Sequence, residues 1–156
     1  MYSSAGTKTG QVVVSSGGQT RTVSCSNSLS VVARADLVAG PVSISNVIQG
    51  NPSSLTARIS NIGDTTAGSS VTRFQRATNA SGANATTVGT VNTASIGSGS
   101  SRTVSMSYTF PSSGTFYVRA CADSSGSINE SNENNNCGGW AQVSVTPALS
   151  ASCSVS

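Results

Sequence analysis

F-Y-V-R-A-C-A-D-S-S-G-S-I-N-E-S-N-E-N-N-N-C, residues 116–137, decides how the rest of this chain is read. It predicts a buried strand, a polar loop, and then a cysteine placed to close the loop back on the strand it left. Three of the chain's five acids (Asp123, Glu130, Glu133) fall in this stretch, with two of its four cysteines, Cys121 and Cys137. A bridge between these two would staple neighbouring strands. The competing reading is a reactive thiol, which needs a cation or histidine beside it, and the chain has no histidine.

Outward from this stretch, composition sets limits. The chain has 156 residues with 16 Gly, and only 8% are charged. About a third are Ser or Thr, in short alternating runs between Gly, Asn and Ser clusters. That pattern predicts an all-β domain rather than a helical bundle. The absence of histidine removes Ser-His-Asp and Cys-His catalysis and most catalytic zinc sites. The net charge of +3 comes from scattered cations, and seven aromatics offer little for base stacking, so no nucleic-acid surface is expected. No apolar run approaches the roughly 20 residues of a membrane span. The first residues carry no secretory signal pattern, so an exported protein is expected to have this chain as a fragment or mature segment. Four cysteines, none spaced C-x-x-C, fit disulfides in an oxidising, extracellular setting.

Residues 1–32 read as a hairpin, with Gln11–Val14 leading into Ser15-Ser16-Gly17-Gly18 and Thr20–Cys25 returning. Two strands alone are marginal in water, so this hairpin should pack on something. Asp36-Leu37-Val38 opens a new segment, followed by Val42, Ile44 and Val47. Leu55, Ala57 and Ile59 alternate onto one face, and Asn61-Ile62-Gly63-Asp64 is a turn. Strands follow at Val71–Arg76 and Thr86–Val91. In Arg102–Phe110, Val104, Met106, Tyr108 and Phe110 face one way. Thr115–Ala122 and Gly139–Val145 complete an immunoglobulin-like, seven-stranded antiparallel β-sandwich with an extra N-terminal hairpin and a C-terminal strand.

Residues 35–146 resemble the CARDB module, the cell-adhesion-related domain found in bacteria. The resemblance is carried by A-D-L-V at Ala35–Val38, L-T-A-R-I-S-N-I-G at Leu55–Gly63, and the motif from Gly114 to Cys137. It implies a sandwich used in modular surface proteins, and no reaction. Residues 1–32 resemble the last two strands of a polycystic-kidney-disease-type (PKD-like) repeat. Residues 147–156 (P-A-L-S-A-S-C-S-V-S) resemble the first strand of a following repeat, or a donor strand. The whole resembles a window cut from an array.

The candidate residues have competing readings. Asp123, Glu130, Asn132 and Glu133, with Asn135, offer hard oxygens that could ring a Ca²⁺; otherwise the Asn side chains cap turns of their own loop. Glu130 and Glu133 as a glycosidase pair would sit in one loop, with no sugar platform around them. Cys25 and Cys153 are either a second pair, within a chain or between successive chains, or two free thiols. Trp140 and Tyr117 are either sugar-stacking rings or packed over the disulfide. The expected function is a non-catalytic extracellular structural and adhesion module of a bacterial surface protein. Its terminal segments would join neighbouring copies or adjacent domains head-to-tail by strand complementation. The alternative is a carbohydrate-binding accessory module of a secreted enzyme, with glycan as partner.

Overall fold

A computed structural model describes residues 6–149, and β-strand is its only regular structure. Cys153 and the rest of residues 150–156 lie outside the described residues. Strands β1 (Gly6–Ser16) and β2 (Gln19–Val31) pair antiparallel as the expected hairpin. Gly17 and Gly18 turn the chain with φ of 59° and 77°, the left-handed backbone that a two-residue hairpin loop requires and glycine supplies at no steric cost. The strands run longer than their sequence signal, because a bulge between Thr9 and Gln11 lets the ladder continue to Gly6↔Val31.

The sandwich consists of two sheets. β3 (Leu37–Ala39), β4 (Pro52–Asn61) and β7 (Ser101–Thr109) form a three-stranded sheet in the order β3-β4-β7. β5 (Ser70–Ala77), β6 (Thr86–Thr93), β8 (Gly114–Cys121) and β9 (Ala141–Val145) form a four-stranded sheet in the order β6-β5-β8-β9. Every pairing within these sheets is antiparallel. This is the immunoglobulin-like β-sandwich that the alternation predicts.

Each sheet sends one face inward. On β4 the alternating Leu55, Ala57 and Ile59 are buried, and on β7 Val104 points the same way, with Met106 and Tyr108 half-buried behind it. Phe74 and Val118 answer from the four-stranded sheet, and Phe110 closes the end against Tyr108 and Phe116. A Cβ at Gly89 would meet the end of the Met106 side chain, which packs across β6.

The first segment of the sandwich departs from expectation. The segment that Asp36 opens holds only a short strand, β3 at Leu37–Ala39, and the next residues change sheets. Ser43 bridges to Thr56 on β4, whereas Ile48 bridges in parallel to Thr146 just after β9. Val42 and Val47 are buried along this crossing. An irregular segment can thus present core residues without alternating, which is why periodicity gave no strand boundary here.

Candidate functional site

Three sequence motifs far apart in the chain meet at one end of the sandwich, and Asn61 lies at their meeting point. It is the last residue of β4 and fully buried. Its Oδ1 accepts the N–H of Asp36 at 3.1 Å and of Gly63 at 3.1 Å, and its Nδ2 donates to the carbonyls of Thr65 at 2.7 Å and Ile96 at 2.9 Å. The neighbouring backbone continues the seam: Ile62 N–H donates to Asp36 O, and Asp64 N–H to Arg34 O, both at 2.8 Å. Gly63 lies so close that a Cβ would come within 2.4 Å of Arg34 O. Asn61 reads as a turn residue in the sequence, yet its side chain holds four backbone groups of three segments together. Asn-x-Gly composition signals a turn whether or not its side chain is buried, so the sequence carried no sign of this role.

The polar loop between β8 and β9 grips the same strand from the other side. Glu130 is buried and bridges to Ala35, its Oε2 accepts the Leu37 N–H, and its Oε1 accepts Asn136 Nδ2 at 2.7 Å. Ser131 N–H donates to Ala35 O at 2.8 Å, and Ala39 N–H to Asn136 O at 3.3 Å. Asp36, also buried, accepts Ser131 Oγ at 2.9 Å and Asn135 Nδ2 at 2.8 Å. Gly138 packs against the end of β3, where a Cβ would stand 2.6 Å from Gly40 O. A loop anchored in the four-stranded sheet therefore binds the edge strand of the other sheet.

Asp123, with φ of 37°, organises the start of the loop. Its carboxylate accepts Ser127 Oγ at 2.7 Å and the N–H groups of Ser127 at 3.1 Å and Ile128 at 2.8 Å. Glu133 accepts the Glu130 N–H at 2.9 Å, and Asn132 Oδ1 accepts the Asn134 N–H at 3.0 Å. Asp123, Asn132 and Glu133 are thus engaged by donors of their own loop, the pattern of Asx and related turns, whereas Glu130 is shared between Asn136 of the loop and Leu37 of β3. Among the described residues no group of three or more His, Cys, Asp or Glu is arranged to hold a metal ion.

The disulfide closes this assembly. Cys121, buried at the end of β8, is bonded to the exposed Cys137, and the two residues form an isolated antiparallel bridge ahead of β9. Cys25 is exposed on β2, and its suggested partner Cys153 falls outside the described residues. Trp140 is half-buried. Arg119 stacks on its ring at 4.4 Å, and Gly82 abuts the ring so closely that a Cβ would meet Nε1 at 2.7 Å.

Electrostatics single out Glu130. Burial raises its carboxyl pKa above the ordinary value, opposed by the Leu37 N–H and Asn136 and assisted by the charges of Glu133 and Asp123. A carboxyl whose folded pKa exceeds its unfolded one favours folding most below its unfolded pKa. That contribution is lost as pH rises through the folded pKa. The Glu130 carboxyl carbon should therefore titrate by NMR with a midpoint above that of an ordinary Glu. Glu130→Gln should remove that part of the pH dependence of unfolding. A midpoint at or below the ordinary value would refute this assignment.

With this geometry in place, the chain can be compared with known proteins. The CARDB family profile matches residues 34–139, which includes all three converging motifs. The chain belongs to the CARDB family. CARDB is a cell-adhesion-related domain, and no curated protein sequence matches the chain. Among solved structures, the crystal structure of the CARDB domain of PF1109 from Pyrococcus furiosus, in complex with di-metal ions, is similar at 19% identity and a TM-score of 0.61. The match covers 76% of this chain and 100% of that one. The solution structure of the same CARDB domain matches at 22% identity and a TM-score of 0.58, covering 74% and 98%. β-Glucosidase 3B from Thermotoga neapolitana, in complex with α-D-glucose, matches at 16% identity and a TM-score of 0.51 over 72% of this chain but 16% of that enzyme. At these identities the likeness is one of fold. Among the described residues of this CARDB domain no donor set for a metal pair is gathered, because the buried carboxylates face N–H and O–H donors.

Proposed function

We propose that this CARDB domain is a non-catalytic, extracellular structural and adhesion module of a surface protein, joined head-to-tail to its neighbours through its terminal segments. The observation that carries the reading is the β1–β2 hairpin. Val12 and Val23 are register partners on one face, and Val14 lies two residues on along the same face, yet each is more than half exposed. An isolated two-stranded ribbon with an apolar face is marginal in water and has unpaired edges that template a further strand. In the sequence, Ala151, Cys153 and Val155 alternate with serines, the period-two pattern of a strand that could complete such a ribbon. On this reading residues 1–32 act as the acceptor, 35–146 as the spacer, and 147–156 as the donor strand, with Cys25 and Cys153 close enough to pair.

Electron microscopy and light scattering on the full chain test this directly. The expected result is concentration-dependent linear chains, abolished by Val12→Lys with Val14→Lys or by deletion of residues 148–156. A strictly monomeric protein at every concentration would refute the assembly. Retention on polysaccharide columns by a monomer would point instead to the sugar-binding module.

A further inference from the structure

The outer face of the four-stranded sheet carries an unneutralised pair of arginines. Arg73 on β5 is the register partner of Cys121, and Gln75 is the partner of Arg119 on β8. Arg73 and Arg119 are therefore diagonal neighbours on one face, about 7–8 Å apart at the backbone. Arg119 is held in place: its Nε donates to Gln75 Oε1 at 2.9 Å, and its guanidinium plane stacks on Trp140. That leaves its outer N–H fork without a partner among the described residues. Arg73 Nε is a buried atom with no hydrogen-bond partner among the described residues.

Among the described residues neither cation has a counter-charge. Asp36, Asp123, Glu130 and Glu133 are engaged in the loop, and Asp64 is exposed in the turn after β4. The two guanidinium groups feel each other, and the Arg119 pKa is lowered, first by burial and then by the charge of Arg73. A half-buried donor with no acceptor, beside a like charge, is a costly arrangement for a chain to keep. An arriving carboxylate supplies the missing counter-charge, since its two oxygens match the planar outer fork of a guanidinium.

We infer that this face, centred on Arg73 and Arg119, is a binding site for carboxylate side chains of an acidic peptide segment in a partner protein. The outer sheet face, with Tyr117 and Gln142 as neighbouring register partners, suits an extended peptide. An acidic polysaccharide fits less well, because Arg119 already occupies a face of the Trp140 ring and Gly82 crowds its Nε1 side, which leaves a sugar little ring to stack on. The inference does not depend on head-to-tail assembly, which uses other segments.

Trp140 is the only tryptophan in the chain, so its emission reports on this face alone. Hexaglutamate titrated into the full chain at low ionic strength should change Trp140 emission saturably and shift the Arg73 Nε–H resonance. Hexaglutamine should do neither. Arg73→Gln and Arg119→Gln should each weaken binding at least about tenfold. The lysine variants at both positions, which keep the charge but lose the fork, should fall between, and they supply the readout if a glutamine variant unfolds. No response of Trp140 to millimolar hexaglutamate, or an undiminished response in the variants, would overturn the site. Tighter binding of polygalacturonate per carboxylate would overturn the peptide assignment in favour of a glycan.

Discussion

Replacing Asn61 with alanine should cost this domain about 4 kcal/mol, a large part of the roughly 5–15 kcal/mol that holds a domain of this size together. The side chain is fully buried and serves four backbone groups. Its removal leaves the N–H groups of Asp36 and Gly63 and the carbonyl of Thr65 without a partner, while the Ile96 carbonyl keeps the Ala67 N–H. Each buried orphan costs on the order of 1–3 kcal/mol, with carbonyls at the lower end. The loss is not confined to a turn, because Asp36 opens the segment that carries β3 into the sandwich. Urea unfolding should show the drop in midpoint. Asn132→Ala provides the contrast: Asn132 is exposed and satisfies only the N–H of Asn134, so its loss should cost under about 1 kcal/mol. If the two variants prove equally mild, the junction is not what binds the edge strand.

The second large effect should come from the disulfide. Cys121 and Cys137 are 16 residues apart, and a crosslink closing such a loop stabilises by about 3 kcal/mol in the chain-entropy account. For a domain of this length that corresponds to a fall in Tm of roughly 10 °C. The native-state consequence adds to the entropic one, since the closed loop carries Glu130, Ser131, Asn135 and Asn136, whose hydrogen bonds hold residues 35–39. Cys137 is exposed, so a reductant can reach the bond in the folded protein. The measurement is a melting curve with and without dithiothreitol, with Cys25 and Cys153 both changed to alanine so that only one pair responds. An unchanged Tm after thiol titration has shown full reduction would remove the disulfide from this account.

Much of this architecture was legible because sheet proteins with one buried face write that face into the chain. The alternation at Leu55–Ile59 and Arg102–Phe110 was read onto the correct face, and the spacing of Cys121 and Cys137 matched the strand end and return it predicted. The hairpin followed from two glycines between apolar runs. What escaped the reading was the burial of polar residues. Asp36 and Glu130 belong to residue types that are rarely buried, and what makes burial tolerable here is a set of donors more than ninety positions away in sequence. Local pattern contains no information about such partners. The path of residues 40–50 was hidden for a related reason: its two bridges lie on different sheets, so neither period applies.

That same crossing decides how the domain would respond to being stretched. Residues 47–49 and Thr146 run in the same direction, joined by Gln49 N–H to Thr146 O at 2.8 Å and Thr146 N–H to Val47 O at 2.9 Å. Tension entering from the N-terminal side and leaving beyond Thr146 draws these two segments past one another lengthwise. Their bonds are then loaded in shear and must rupture as a group, whereas an antiparallel pair drawn open from its free end unzips one rung at a time.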